Sequence, residues 1–405
     1  MKYPRCLLPA LLGLSVLGLS ARAEDAAKPA PPSATLPPPA AILEKTRAVN
    51  AWFMQAWPDP GKTTVGNRPS NIWTRGVYYE GLMALYRVDP DKKFLDYALQ
   101  WAGFHQWALR NSLRGTADDQ CCGQTYLDLY LLDPKPERLA AIQARLDAIL
   151  STNRVGDWTW VDAIQMGMPV FARLGAITKD PKYFERMYQM FVSTRDQQAS
   201  RGGTKGFYNP ADGLWWRDAN FGPPYLTPNG KHCYWSRGNG WVIAAMARVL
   251  DVLPIDAPHR GDYVKMLQDM AAALKKCQRD DGFWNSDLGD PANFGGKETS
   301  GTALFTYAMA WGIRHDVLAK DAYLPVVAKA WNALATDAIH PDGFLGFVQG
   351  TGKQPSEGQP VTYDHKPDFD DFGAGCVLLA GSEVYALAGG KVASLVATPA
   401  PVKAP

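Results

Sequence analysis

Trp241-Val242-Ile243-Ala244-Ala245-Met246-Ala247 and Gly301-Thr302-Ala303-Leu304-Phe305-Thr306-Tyr307-Ala308-Met309-Ala310 read as helices that are apolar or small on nearly every side. Such helices belong inside a fold, because no face of them gains from water. Residues 182–200 contrast with them: Tyr183, Met187, Met190 and Phe191 recur at helical spacing among Lys, Glu, Arg and Gln. That pattern buries one stripe and leaves the rest in solvent.

The contrast repeats along the chain. Helical periodicity marks stretches near 41–57, 73–88, 91–109, 119–132, 136–150, 161–178, 182–200, 237–253, 260–278, 299–315, 321–337 and 371–388, with no convincing strand pair. Odd-numbered helices are amphipathic and even-numbered ones are small and apolar. Six outer–inner pairs, at a spacing of roughly 60 residues, predict an all-α (α/α)6 toroid. Asp212-Gly213, Asp281-Gly282 and Asp342-Gly343, each followed by an apolar residue, precede even helices and signal turns.

Around this core, residues 1–23 have the form of a secretory signal peptide. Lys2 and Arg5 precede an apolar run from Leu7 to Leu19 and the A-x-A site Ala21-Arg22-Ala23. The run is too short to span a bilayer, and the expectation is export to the periplasm or beyond. Residues 24–40, rich in Ala and Pro, read as a disordered linker, 41–390 as the catalytic domain and 391–405 as a disordered tail. The chain is 46% hydrophobic and 20% charged, and its net charge of +2 gives no case for nucleic acid or membrane surfaces as partners. Oligomeric state has no signature here. Beyond Cys6, Cys121, Cys122, Cys233, Cys277 and Cys376 form an odd set that reads as buried thiols with at most one disulfide pair assumed. No Cys/His spacing suggests zinc, and no metal or other cofactor is expected.

In a toroid the inner helices run parallel, so their N-termini, with free N–H groups and a positive dipole end, converge on one cavity suited to an anion. The starts carry Asn71-Ile72-Trp73-Thr74-Arg75, Asp118-Asp119-Gln120, Asp157-Trp158-Thr159-Trp160-Val161-Asp162, Tyr234-Trp235-Ser236-Arg237-Gly238-Asn239-Gly240-Trp241, Glu298-Thr299-Ser300 and Asp370-Asp371. A lone Asp at such a place is ordinarily an N-cap, but Trp and Arg are poor caps, and their recurrence beside carboxylates points to a sugar pocket. Asp162 is the sharpest candidate: a carboxyl walled by Trp158 or Trp160 is partly desolvated and able to hold a proton. Asp118 or Asp119 supplies a second carboxylate. Arg217 and Arg237 can pair with a substrate carboxylate through the planar guanidinium, with Trp73, Arg75, Trp216 and Trp241 as further pocket residues. A structural ion pair between Arg237 and Asp119 is the other reading of those two. His365 is a rim candidate or a surface residue.

Over about 41–388 these residues resemble glycoside hydrolase family 105, the unsaturated rhamnogalacturonyl hydrolases, related to the unsaturated glucuronyl hydrolases of family 88. Trp160-Val161-Asp162, Ser236-Arg237-Gly238-Asn239-Gly240-Trp241, Ser300-Gly301-Thr302-Ala303 and Asp118-Asp119-Gln120-Cys121-Cys122-Gly123 carry the likeness. The resemblance implies the (α/α)6 toroid and a hydration reaction on a terminal sugar with a C4=C5 double bond. Asp162 would protonate C4 and activate the water that adds at C5. Asp118 or Asp119 would assist, Trp160 and Trp241 would wall the subsite, and Arg237 would lie near the uronate. Trp215-Trp216-Arg217-Asp218 departs from the family pattern by placing Arg217 where the family often has His. An inverting glycosidase or polysaccharide lyase on the same toroid, and a non-catalytic carbohydrate-binding protein, are the competing expectations.

Overall fold

The structure, a computed structural model, describes residues 32–111 and 116–395. The expected signal peptide lies outside them. Twelve α-helices account for half of the described chain. The inner set is α2 (Trp73–Val88), α4 (Cys122–Leu132), α6 (Asp162–Thr178), α8 (Ser236–Leu250), α10 (Thr299–Arg314) and α12 (Phe372–Leu387). The outer set is α1 (Pro39–Ala56), α3 (Lys92–Phe104), α5 (Pro136–Leu150), α7 (Pro181–Val192), α9 (Arg260–Lys276) and α11 (Lys320–Ala333). Successive inner helices pack on one another and α12 returns to α2, closing the ring. α3, α5, α7, α9 and α11 lie against the inner helix that precedes each, and α1 lies against α12.

Composition sorts the two layers as expected. Every residue of α8 is buried, whereas α7 buries Tyr183, Met187, Met190 and Phe191 and leaves its other face in water. Burying one such large apolar side chain stabilises the fold by about 1.5–3 kcal/mol, so this stripe is what holds α7 in place. Small residues set the spacing of the inner ring: a Cβ on Gly81 would lie 2.4 Å from the Gly375 carbonyl oxygen, and one on Gly375 2.2 Å from that of Val77. α2 and α12 touch backbone to backbone there.

The Asp-Gly repeat has a packing role. Gly213, Gly282 and Gly343 all take positive φ (68°, 91° and 93°). Each places its turn against an outer helix, at Asp269 of α9, Lys329 of α11 and Ala48 of α1. Asp281 and Asp342 accept from the backbone N–H of Phe283 and Phe344, a local bond that favours the turn.

Several expectations need correction. A two-stranded antiparallel pair exists, β1 (Tyr208–Asn209) with β2 (Leu214–Trp215); strands of two residues are too short for alternation to be legible. The seventh helical stretch does not run to 200: α7 ends at Val192 and continues as one π-helical turn to Gln197. The linker expected over 24–40 is ordered from 32 onward, since Pro39 opens α1 at a position where proline is favoured and Asn332 donates to the carbonyls of Ser33 and Thr35. Of the tail expected over 391–405, residues 391–395 are held in place, because Ala393 exchanges hydrogen bonds with Arg87 and Leu395 is buried; the rest lies outside the described residues. Cys121, Cys122, Cys233, Cys277 and Cys376 are all free thiols. No helix among the described residues is long and apolar enough to cross a membrane.

Candidate active site

An open pocket of about 710 Å³ is lined by Trp73, Asp118, Trp160, Asp162, Met166 and Arg217, with Thr351, Gly352, Lys353 and Glu357 closing its far side. Trp73 and Asp162 are the first residues of α2 and α6, and Asp118 sits in a single 3₁₀ turn (Ala117–Asp119) just before α4. Half of the inner-helix starts thus supply the lining. The expectation that all six do so is not met, because the segment from Gln349 packs on Arg237 and Glu298 at the starts of α8 and α10, and the carboxylates at the starts of α10 and α12 are caps. Glu298 accepts from the N–H groups of Ser300 and Gly301, and Asp371 from that of Phe372.

Asp162 is not itself a cap, for it makes no cap hydrogen bond. Its Oδ2 accepts from Arg217 Nε at 3.1 Å. That contact is imposed by the backbone: Trp160 and Asp218 form an isolated antiparallel bridge, and the Val161 N–H donates to the Arg217 carbonyl at 2.9 Å. The two tryptophans before Asp162 divide their tasks. Trp160 lines the pocket, while Trp158 is wholly buried against Gly167 of α6.

Of the neighbouring aspartates, Asp118 reaches the pocket and Asp119 does not. Asp119 is buried, with both oxygens accepting from Asn111 Nδ2 at 3.1 and 3.0 Å. The pKa of Asp118 is lifted to about 7, first by burial and then by the Asp162 carboxylate, against opposing pulls from Arg217 and Arg110. Asp118 is thus a desolvated acid facing the pocket, while Asp162 beside it has the Arg217 guanidinium as a hydrogen-bond partner.

Four other predicted residues sit behind the lining. Arg75 is fully buried, paired with Asp371 at 3.2 Å and set over the rings of Trp57 and Phe53. Trp241 is buried and meets Trp73 edge-on at 6.2 Å between ring centres, so it supports the pocket wall. Trp216 packs beside Tyr234 and His232, away from the lining. Arg237 pairs with neither Asp119 nor the pocket; it is buried between Trp235 and Phe372. Its Nη1 and Nη2 donate to the carbonyls of Gln349 and Gly350, each at 2.6 Å. Both arginines begin their helices but point into the ring of side chains rather than its mouth. His365 does not line the pocket.

Thr351, Lys353 and Glu357 escaped the sequence reading because their segment has no period and no motif. Its shape comes from Gln349, whose Nε2 donates to the carbonyls of Gln354, Pro355 and Glu357, and from Glu357, which accepts from the Lys353 N–H at 2.8 Å. The Lys353 ammonium pairs with no carboxylate among the described residues. Among the same residues no group of three or more His, Cys, Asp or Glu side chains is placed to share a metal ion.

The family model of Glycosyl Hydrolase Family 88 matches residues 45–388. An unsaturated 3S-rhamnoglycuronyl hydrolase from Formosa agariphila is 32% identical over 335 residues, covering 78% of this chain and 84% of that protein. A solved family 88 glycosyl hydrolase from Bacteroides vulgatus superposes with a TM-score of 0.78 at 35% identity, over 87% of this chain and 100% of that one. A solved structure described as a polysaccharide lyase has a TM-score of 0.77 at 31% identity, over 86% of this chain and 97% of its own. The helical ring, the paired aspartates in its mouth and the extent of these matches lead to one assignment: the chain belongs to glycosyl hydrolase family 88, related to the family 105 that its motifs resemble.

Proposed function

We propose that the enzyme removes a Δ4,5-unsaturated uronic acid from the non-reducing end of lyase-generated oligosaccharides, by hydrating the enol ether double bond. The observation that carries this reading is the meeting of Asp118, Asp162 and Arg217 at one pocket walled by Trp73 and Trp160. Asp162 gives a proton to C4, and positive charge develops at C5 beside the ring oxygen. A water then adds at C5 and returns its proton to Asp162. The hemiketal so formed opens and releases the next sugar. One acid/base group is enough for this sequence, in contrast to the two separated carboxylates of direct glycoside displacement. Asp118, lifted toward its protonated form by burial, assists by exchanging protons with Asp162 between turnovers. Lys353 and the outer edge of Arg217 are the cations available to an anionic substrate.

The name of the Formosa relative, unsaturated 3S-rhamnoglycuronyl hydrolase, supports rhamnose as the sugar after the uronate. The parent polymer is then pectic rhamnogalacturonan or a sulfated ulvan-type chain. The test is a screen of lyase products from rhamnogalacturonan, arabinogalactan and ulvan, following the ultraviolet absorbance of the conjugated acid. Loss of absorbance with release of one sugar supports the proposal, and the substrate that responds identifies the polymer. The lyase neighbour favours a second reading, under which absorbance would rise on intact polymer. No change across the panel overturns both. We further propose export, supported by the charged start, the apolar run and the A-x-A site of residues 1–23; a mature protein beginning at Glu24 is the expected product.

A further inference from the structure

Two carboxylates share the Arg217 guanidinium, one in the pocket and one behind it. Nε donates to Asp162 Oδ2 at 3.1 Å, and Nη1 donates to Asp218 Oδ2 at 2.6 Å. Asp218 is itself held, its Oδ1 accepting from the Asn220 N–H at 2.8 Å and the Asn220 amide at 2.9 Å. It is buried and lines no part of the pocket, so it has no direct access to substrate.

A guanidinium in contact with a carboxyl favours its charged form by about 1–3 pH units. The reaction needs the opposite form at its first step. An anion on the far side of the guanidinium works against that pull, both by competing for the same cation and by adding negative charge nearby. Other charged groups face Asp162 as well: Asp118 from the turn before α4, Arg237 from α8, and Lys353 and Glu357 across the pocket. Among the described residues, however, Arg217 is the sole hydrogen-bond donor to Asp162. Arg217 is therefore the direct handle on Asp162, and Asp218 holds the handle.

We propose that Asp218 is a positioning residue for the reaction: by holding Arg217 from behind, it limits the cationic charge delivered to Asp162 and so sets the pH range in which the enzyme has its acid. It also fixes the plane of the guanidinium, leaving Nη2 without a protein partner among the described residues. This inference rests on Asp162 being the acid/base group.

The test compares kcat/KM against pH for the wild type, Asp218→Asn, Asp218→Glu and Arg217→Gln, on whichever unsaturated oligosaccharide the wild type cleaves. This ratio reports groups in the free enzyme. Removing the Asp218 charge gives Asp162 more of the guanidinium, so the alkaline limb of Asp218→Asn moves down by about 1 pH unit. Removing the cation moves the limb of Arg217→Gln in the opposite direction, on whatever activity remains. Asp218→Glu, which keeps the charge, keeps the limb in place. An Asp218→Asn enzyme with lowered Tm and an unmoved limb overturns the proposal, because a merely structural residue behaves that way. If that variant does not fold, an Arg217→Gln limb that stays put or moves down overturns it instead. Failure of the underlying reading looks different: Asp162→Asn would then keep its activity.

Discussion

Arg237 Nη2 donates to the Gly350 carbonyl at 2.6 Å, although the two residues stand 113 positions apart in the chain. With the matching bond to Gln349, this tie holds the segment that carries Thr351, Lys353 and Glu357 over the pocket. The cation is buried, has no carboxylate partner among the described residues, and is offset by these carbonyls and by the faces of Trp235 and Phe372. A planar fork gives each of two adjacent carbonyls its own nitrogen at fixed spacing, whereas an ammonium offers one nitrogen to both.

Arg237→Lys should therefore lose one charge-assisted bond, worth about 1.5–3 kcal/mol. The expected outcome is a lower Tm together with a raised KM, as the far wall of the pocket loosens. Unchanged KM in a destabilised variant would show that the tie serves the fold alone.

Asp118 holds its proton more tightly in the folded state than in the unfolded chain, since its pKa is lifted to about 7. A raised carboxyl pKa contributes stability below the unfolded value of about 3.9 and loses it as pH rises toward the folded one. Asp118→Asn should thus flatten the fall in stability between about pH 4 and 7 and raise Tm at neutral pH. Activity should drop by about 10²–10⁴-fold, the usual contribution of positioned proton transfer. Denaturant melts across this window and initial rates check the two effects separately.

Lys353 lines the pocket and pairs with no carboxylate among the described residues. Lys353→Ala should raise KM about tenfold, the equivalent of roughly 1.4 kcal/mol, and leave kcat near the wild-type value. Added salt should weaken substrate binding in the wild type more than in this variant, because the lost attraction is the screened one.

Gly375→Ala should destabilise the protein by about 1–3 kcal/mol, the range for overpacking a filled interior. Its Cβ would lie 2.2 Å from the Val77 carbonyl oxygen, so α2 and α12 must separate. Urea unfolding at constant m-value measures it.

The helices were legible because burial leaves a period in the sequence. Tyr183, Met187, Met190 and Phe191 are the buried stripe of α7, and the small apolar run from Trp241 lies wholly inside. Asp162, Asp118, Trp160, Trp73 and Arg217 were legible as a set because they occupy helix starts or the segment paired with one. Depth was not legible. Arg75 stands two residues after Trp73 in the pocket wall and Arg237 at the start of an inner helix, yet their side chains run into the protein, a direction fixed by helix rotation and by partners distant in sequence. Asp118 and Asp119 are separated by one step of a 3₁₀ turn, about a third of a revolution, which sends one carboxyl to the pocket and the other to Asn111. The 349–358 segment follows no period at all, and its shape depends on Arg237 and Gln349.

The α1–α12 contact has a bearing on how the polypeptide comes to be folded. Pro39 and Phe372 begin helices that must meet, and closing so long a loop is entropically the most demanding event in the ring. Until α12 has been made, α1 lacks the helix that covers most of its buried face and is held mainly by Phe53 stacking on Tyr78 of α2, and the nascent arc exposes apolar flanks at both edges. Assembly should be a late, highly cooperative step, and a protein shortened by its twelfth helix should aggregate rather than persist as an eleven-helix remnant.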